Sequence, residues 1–286
     1  LKAERFEKLM FHVRDTKSNM RLLYAMASSP RWRNIKIGNF VEKLCDQSEE
    51  QFAAITVALG DGRHFVAFRG TDGTLVGWKE DFNMAFTCPV PAQRLAAHYA
   101  ASAMLHFPGE FLLGGHSKGG NLAVYAAAFC PAALQERIAA VYNNDGPGFD
   151  AEVIALPGYQ RICARVQTFV PQSSIVGMLL EHEEAYTIIH STGDGFGQHN
   201  LYTWEVLRDR FVTLETVTNG SQAMPRSSTS WSCVNFVVTE LKRKNGIERF
   251  TIFAVVMRPV SSSLPVWAAS QPIPAVRTRT STLEIV

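Results

Sequence analysis

The sequence lacks a strong charge of either sign. Its 28 lysine and arginine residues face 26 aspartate and glutamate residues, which leaves a net charge of +2. A nucleic-acid-binding domain usually shows a pronounced basic patch or run. The basic segment LKRKNGIER at 241–249 is short, and we interpret it as the solvated face of a helix. We therefore expect no nucleic-acid partner.

Cysteine is sparse and is not arranged for metal binding. No CxxC pair occurs, which argues against a zinc or redox site. An odd number of widely spaced cysteines fits reduced thiols in a cytosolic protein better than a disulfide framework. The cysteines are Cys45, Cys88, Cys130, Cys163 and Cys233. We expect no metal, no organic cofactor and a cytoplasmic location.

Long hydrophobic runs are missing as well. A membrane-spanning helix needs about 20 apolar residues, and the best candidates, LAVYAAAFC (122–130) and FTIFAVVM (250–257), are much shorter. We therefore predict no transmembrane segment. Charged residues throughout LKAERFEKLM also argue against a signal peptide. The chain opens on Leu rather than Met, so an incomplete N-terminus is left open.

What the sequence does contain is an alternation of strand and helix patterns. The apolar runs at 51–59 and 64–70 flank Gly60-Asp61-Gly62, a pattern typical of a β-hairpin. Further along, helical spacing at 92–107 and in the segment after HSKGG alternates with apolar strand patterns. Those strands are predicted at 110–115, 137–145, 165–170 and 185–191. This order predicts an α/β fold of the α/β-hydrolase type, with a mostly parallel sheet and helices on both faces.

The pattern also suggests how the chain is divided. We predict one α/β-hydrolase-like domain over residues 1–220, which begins with a helical extension at 1–30. Residues 221–286 are predicted to form a poorly defined, partly disordered C-terminal segment, because Ser, Pro, Thr and Arg dominate it from Arg258 onward. Within that segment, IERFTIFAVVM fits either a helix or a strand.

The most informative motif is GGHSKGG, which contains Ser117. It follows the apolar strand FLLG and precedes the helical pattern GNLAVYAAAF. A serine in G-x-S-x-G at such a junction forms a nucleophile elbow. Side chains two residues before or after the serine would collide with the neighbouring strand and helix, which explains the glycines. The alternative is a Gly-rich turn whose serine only caps the helix.

A nucleophilic serine needs a base and an orienting acid, and in this fold they follow the serine in the order acid, then histidine. Asp145 in NNDGPGF ends a predicted strand and is our candidate acid, with Asp194 as runner-up. The alternative role of Asp145 is to cap its own turn. His199 lies in a glycine-rich loop after the last core strand and is our candidate base.

The remaining histidines have less favourable positions. We expect His182 to be solvated on a helical face and His190 to be partly buried at a strand end. We expect the His116 side chain to point away from the site and to pack or hydrogen-bond behind the elbow.

The reaction also needs two backbone N–H groups that stabilise the oxyanion. The first candidate is the N–H of Lys118, directly after the serine, and the second is the N–H of Thr71, which follows the strand HFVAFRG. The alternative reading of Thr71 is a Gly-Thr-Asp turn without a role.

Two family resemblances become visible at these motifs. The segment FRGTDGTLVGWKEDF with GGHSKGG resembles the class 3, fungal-type lipases. In that family an FRGT segment with a downstream Trp-x-x-Asp supports the oxyanion hole, and the resemblance implies this role for Trp78 and Asp81. The chain is more closely similar to the Mbeg-like family, a bacterial family of lipase-like α/β hydrolases whose substrate is unsettled, over roughly residues 20–215. The motifs that carry this second resemblance are GTDGTLVGWKEDFNMAF, VPAQ, GGHSKGGNLAVYAA, NNDGPGF, VPQSSIVGMLLEH and the QH…W of GQHNLYTW.

The sequence departs from the class 3 lipases at two positions. Ser174 stands where their acid is expected, while NNDGPGF resembles the turn that carries the acid in pancreatic-type lipases, which favours Asp145. Lys118 replaces an apolar residue. Its cation would either favour an anionic substrate or reach solvent, and we favour the second interpretation.

These observations predict a serine hydrolase, lipase-like or esterase-like, that cleaves a small-molecule acyl ester or a lipid with the triad Ser117, Asp145 and His199. An acyltransferase or thioesterase would use the same residues. A non-catalytic α/β-hydrolase fold that serves binding or scaffolding is the alternative from a different class. The sequence does not indicate the oligomeric state.

Overall fold

The computed structural model describes residues 15–71, 75–84, 87–208, 210–217, 234–241 and 250–256. Its helices are α1 (Thr16–Ser28), α2 (Leu75–Met84), α3 (Pro91–His106), α4 (Lys118–Phe129), α5 (Ala132–Gln135), α6 (Ala151–Ile154) and α7 (Pro157–Cys163). Its strands are β1 (Lys36–Cys45), β2 (Glu50–Ala58), β3 (His64–Phe68), β4 (Phe111–His116), β5 (Ile138–Asn144), β6 (Val166–Pro171), β7 (Tyr186–Ile189), β8 (Val206–Leu207), β9 (Arg210–Phe211), β10 (Thr213–Leu214), β11 (Val234–Leu241) and β12 (Phe250–Val256).

A central eight-stranded sheet organises the fold, in the order β1-β2-β3-β4-β5-β6-β7-β10. The strands from β3 to β7 pair in parallel. The pairs β1/β2, β2/β3 and β7/β10 are antiparallel. They lie at the two ends of the strand order. The predicted α/β fold with a mostly parallel sheet is confirmed.

Successive parallel strands are neighbours, which brings their ends together. Parallel strands all have their carboxyl ends at the same edge, where ligand and catalytic groups of open α/β sheets collect. Strand β4 ends at His116, β5 at Asn144, and β6 at Pro171. The loops that carry Ser117, Asp145 and Ser174 therefore begin side by side.

The sheet buries an apolar core on each face. On one face the crossover helices α3, α4 and α7 pack against β2 to β6, with small alanines allowing a close approach of helix to sheet. On the other face Met26 of α1, Trp32 and Trp204 pack against side chains of β1 to β7. The crossover helices therefore cover one face, and α1 contributes to the cover of the other.

The predicted hairpin at 51–70 is confirmed, because β2 and β3 pair in antiparallel register on either side of the Gly60-Asp61-Gly62 turn. Strand β1 had no counterpart among our predictions. Its side chains do not alternate cleanly between buried and exposed, since it lies at the edge of the sheet. Edge strands of this kind give only a weak signal of period two.

The predicted division of the chain remains a prediction. Helix α1 falls within the predicted helical extension, and residues 1–14 lie outside the described residues. In the C-terminal segment, β11 and β12 form an antiparallel pair, so the segment around IERFTIFAVVM contains a strand. The tail from Arg258 onward lies outside the described residues.

The core makes a direct prediction about stability. Leu122 of α4 is fully buried in the helical-face core, whereas Leu105 of α3 is 74% exposed. We expect Leu122→Ala to lower the free energy of unfolding by about 2–5 kcal/mol, through lost burial and a residual cavity. Leu105→Ala makes the same chemical change at the surface and should stay within about 0.5 kcal/mol of the parent protein. Urea unfolding of the two variants measures both, and equal losses would contradict the assignment of α4 to the core.

Candidate active site

Ser117 occupies a sharp turn between β4 and α4. The turn leaves only this one residue between the end of the strand at His116 and the start of the helix at Lys118. Its backbone has φ 57° and ψ −132°, a conformation that costs a non-glycine residue about 1–3 kcal/mol and collects at functional sites. The Ser117 N–H donates to the carbonyl oxygen of Asn144 at 2.9 Å. This bond fixes the turn against the neighbouring strand end.

The glycines around Ser117 permit this turn through close backbone contact. A Cβ added to Gly115 would collide with the backbone of Gly119 and would lie 2.7 Å from the Phe68 carbonyl oxygen. A Cβ added to Gly119 would collide with that same carbonyl oxygen. The predicted clash two residues before and after the serine is confirmed.

Asp145 and His199 lie next to each other although 54 residues separate them. His199 Nδ1 is 2.6 Å from Asp145 Oδ2, and Asp145 is only 1% exposed. Asp145 adopts φ 51°, a left-handed conformation that a short polar side chain tolerates. The turn is capped by Asn143, whose Oδ1 accepts from the Gly146 N–H at 3.0 Å. Asn143 therefore caps this turn, and the Asp145 carboxylate contacts residues outside it.

The second oxygen of this carboxylate also has defined partners. Asp145 Oδ1 accepts from the Gly177 N–H at 3.1 Å and from the Ser174 hydroxyl. The Gly177 N–H also reaches Ser174 Oγ, at 2.9 Å. Ser174 stands where the class 3 pattern has its acid. It contacts Asp145, the residue that we predicted as the acid instead.

The loop that carries His199 is held on both sides by residues of the QH…W motif. Gln198 Oε1 accepts from the Ser173 N–H at 3.0 Å, and the Gln198 carbonyl oxygen accepts from Trp204 Nε1 at 2.8 Å. Trp204 itself is buried in the core. Sequence reasoning had noted the motif only as part of a resemblance, and these contacts give it a physical role.

His116 connects the elbow to the His199 loop. It forms a hydrogen bond, as one of our two alternatives had it, but the expected direction away from the site was wrong. His116 Nε2 is 2.8 Å from the His199 carbonyl oxygen. The two imidazole rings lie 4.4 Å apart between centroids, with planes tilted by 37°. The His116 side chain thus faces the His199 loop. Side chains alternate along β4, and since a Cβ at Gly115 would point at α4, the His116 side chain lies on the opposite face of the sheet. The same contact brings His199 alongside the residue that precedes Ser117.

The other candidates lie elsewhere. His190 Nδ1 is 2.7 Å from Glu205 Oε2 and its side chain is 38% exposed. His182 is not solvated on a helical face as expected, since its ring is largely buried and lies 2.9 Å from Glu184 Oε1. Asp194, the runner-up acid, is exposed and precedes the 3-10 helix that ends at His199.

The loop after β3 lies directly beside the elbow. A Cβ added to Gly70 would come within 2.6 Å of the His116 carbonyl oxygen and 3.5 Å of Ser117 Cβ. Thr71 follows, and its hydroxyl donates to Asp81 Oδ2. Burial raises the pKa of Asp81, while the nearby Lys118 and the Thr71 hydroxyl act in the opposite direction. The side chain of Trp78 lies outside the described residues.

Lys118 turns into the protein interior, which contradicts our expectation that it reaches solvent. The residue is 2% exposed. Its Nζ donates to Glu80 Oε2 at 3.0 Å, to Gln51 Oε1 at 2.6 Å and to the Gln51 carbonyl oxygen at 3.0 Å. Asp81 Oδ1 lies 3.7 Å away. An inward side chain follows from the first position of α4, which faces β2 rather than the open edge of the sheet.

Gln51 and Glu80 extend this network to the loop after β3. Gln51 Nε2 donates to the Gly70 carbonyl oxygen at 3.4 Å. Glu80 accepts from the Gln51 N–H at 3.0 Å and from the Ala92 N–H at 2.9 Å. The elbow, the hairpin and α2 are therefore joined by a buried ion pair that sequence reasoning missed, because Glu80 lies 38 residues from its partner.

Among the residues that the structure describes, no three His, Cys, Asp or Glu side chains gather closely enough to hold a metal ion. No helix in the described ranges has both the length and the apolar character required to cross a bilayer.

The sheet order and the serine turn at the end of β4 define an α/β fold of the α/β-hydrolase type. A family model described as Mbeg1-like matches residues 26–250, and the chain belongs to this family. The resemblance noted in the sequence is thereby confirmed.

Solved structures give weaker likenesses. A fungal lipase–inhibitor complex is 13% identical with a TM-score of 0.44, over 68% of this chain and 82% of that chain. A Rhizomucor miehei lipase–propeptide complex is 14% identical with a TM-score of 0.42, over 66% and 68%. An M37 lipase is 13% identical with a TM-score of 0.36, over 61% and 69%. All three TM-scores lie below 0.5. No curated protein matches the chain.

The buried Lys118 makes a testable prediction. Lys118→Met leaves the Glu80 carboxylate buried without its cation, and we expect a loss of about 3–5 kcal/mol in the free energy of unfolding. The double variant Lys118→Met/Glu80→Gln removes the uncompensated charge and should recover part of this loss. Urea unfolding measures both variants.

Arg63→Met provides the matched control. Arg63 pairs with Asp61, and the two side chains are 44% and 33% exposed. We expect the melting temperature of this variant to change little, because water screens such pairs. A Lys118→Met variant as stable as the parent protein would show that the interior ion pair is not required.

Proposed function

We propose that this protein is a serine hydrolase that cleaves a carboxylic ester, of a small molecule or of a lipid. In this proposal Ser117 is the nucleophile, His199 the general base and Asp145 the residue that orients the imidazole. The N–H groups of Thr71 and Lys118 stabilise the oxyanion. The chemistry requires neither a metal nor an organic cofactor.

The observation that carries the proposal is the 2.6 Å contact between His199 Nδ1 and Asp145 Oδ2 in a buried setting. A carboxylate that accepts from Nδ1–H leaves Nε2 as the basic nitrogen and stabilises the imidazolium that forms when Nε2 takes a proton. The contact of His199 with His116 supports the placement of this base beside the elbow.

The oxyanion donors are supported by the geometry of two backbone segments. Lys118 is the first residue of α4, so its N–H has no acceptor within the helix and points out of the helix N-terminus, where negative charge is favoured. The close approach of Gly70 to Ser117 supports the Thr71 N–H as the second donor. Preorganised donors of this kind are often the largest single contribution to such catalysis.

The proposed reaction proceeds in two steps. Ser117 Oγ bonds to the ester carbonyl carbon while His199 Nε2 takes the hydroxyl proton. His199 then returns that proton to the leaving alcohol as the carbon–oxygen bond of the ester breaks. Water repeats the sequence on the acyl-enzyme, which releases the acid and regenerates Ser117.

Labelling with a fluorophosphonate tests the nucleophile and its base. We expect the purified protein to be labelled at Ser117, with labelling abolished in Ser117→Ala and in His199→Ala, because an unactivated serine is a weak nucleophile. His190→Ala is the matched histidine control and should label like the parent protein. Mass spectrometry identifies the modified residue. A folded protein that does not react, or that reacts equally without His199, would overturn the proposal.

Turnover of p-nitrophenyl esters tests the reaction class. We expect hydrolysis of a panel of acyl chain lengths by the parent protein and a fall of about 10⁴-fold or more in kcat for Ser117→Ala. The absorbance of the released p-nitrophenolate measures the rate. Absence of turnover with every ester, despite labelling of Ser117, would favour transfer to another acceptor. Absence of both would favour a binding or scaffold protein.

A further inference from the structure

Two neighbouring strand ends converge on one carboxylate. Asp145 follows β5 directly, and Ser174 follows β6. The Ser174 hydroxyl donates to Asp145 Oδ1, and the Gly177 N–H donates to both Asp145 Oδ1 and Ser174 Oγ. Oδ2 of the same carboxylate contacts His199. Each carboxylate oxygen therefore has its own set of partners.

We propose that Ser174 is a positioning residue, which acts through Asp145 to hold His199 in place. The turn from Ser174 to Gly177 is a socket for Asp145 Oδ1. This inference rests on the proposed function, because it concerns the geometry of the proposed triad. Ser174 does not touch the reacting atoms.

The orientation of the Asp145 carboxylate depends on whether it can rotate. A side-chain carboxylate turns about its terminal bond unless both oxygens are held. At 1% exposure Asp145 has no access to bulk water that could replace a lost partner. Loss of the Ser174 hydroxyl leaves the Gly177 N–H, at 3.1 Å, as the remaining described donor to Oδ1. The carboxylate then turns more freely, and the imidazole is held less well in the orientation that the reaction needs.

The socket is also built to exclude other side chains. A Cβ added to Gly177 would collide with Asp145 Oδ1 and would lie 3.0 Å from Ser174 Oγ. Only a residue without a side chain lets the backbone N–H approach the carboxylate this closely. The close fit indicates that the turn after β6 is shaped around the acid carried by the strand before it.

The contact has a second consequence. Since Ser174 Oγ lies against Asp145 Oδ1, an aspartate at position 174 would place its carboxylate within the space that the Asp145 side chain now occupies. The acid of the triad can then be supplied from the end of β6 once the side chain at 145 is removed. Glycine is the suitable replacement at 145, because the backbone there has φ 51°.

The first experiment compares three variants in kcat, KM and the rate of fluorophosphonate labelling. We expect Ser174→Ala to lower kcat and the labelling rate by about tenfold with KM unchanged, the size expected for one hydrogen bond to a charged group. Ser174→Thr keeps the hydroxyl and should retain parent activity. Ser102→Ala in α3 should also retain it, because Ser102 lies outside the proposed site and its described bond to His106 uses its backbone carbonyl oxygen.

The second experiment moves the acid. We expect Asp145→Gly to lose most of its activity and Asp145→Gly/Ser174→Asp to regain at least about tenfold over it, a difference that loss of stability alone cannot produce. Circular dichroism melting checks that each variant is folded. Ser174→Ala at parent rates would overturn the positioning role of Ser174. A double variant no better than Asp145→Gly would overturn the exchange of the acid between the two positions. In both cases labelling of Ser117 leaves the proposed function intact. A parent protein that does not label overturns the proposed function itself.

Discussion

The close contact of three backbones around Ser117 is the constraint on which the site depends. Gly115 and Gly119 bring β4, α4 and the end of β3 together without intervening side chains, and Ser117 bends the chain at positive φ between them. The bend determines how the chain continues from strand to helix. It leaves Ser117 at the carboxyl end of β4 and sends the Lys118 side chain back toward β2. The strain at one residue is compensated by the packing of the elements on either side.

The inward course of Lys118 has its own cost and its own use. A buried ammonium must be paired and hydrogen-bonded, and Glu80 with Gln51 meets that need. The same residues are bonded to the loop after β3, through Gln51 to Gly70. An ion pair of this kind is a weak source of net stability compared with apolar packing. Its evident effect here is geometric, because it joins the residue after the elbow to the loop that contributes the other proposed oxyanion donor.

Sequence reasoning predicted the parts of this arrangement that follow from periodicity and from strand order. The strands from β2 to β7 were recognisable because buried strands are continuous apolar runs. Asp145 and His199 could be paired because parallel strands present their carboxyl ends at one edge. The direction of Lys118 could not be predicted, since it depends on the dihedral angles of a single strained residue. The contact of His116 with His199 could not be predicted either, since it joins residues 83 positions apart in the chain. The edge strand β1 and the Ser174 contact left no signal, because neither is expressed in a local pattern.

Asp145 and Ser174 show that two residues far apart in the chain can lie close together in space. Asp145 and Ser174 are 29 residues apart in the chain, yet they follow adjacent strands and are in hydrogen-bond contact. Adjacent strands are separated by only about 4.8 Å, which is within the reach of an aspartate side chain and a short loop. Because β5 and β6 are neighbours in an unbroken sequential order, a carboxylate at either end can approach an imidazole that comes from beyond β7. The order of the strands therefore brings position 174 into hydrogen-bond contact with the proposed acid at position 145.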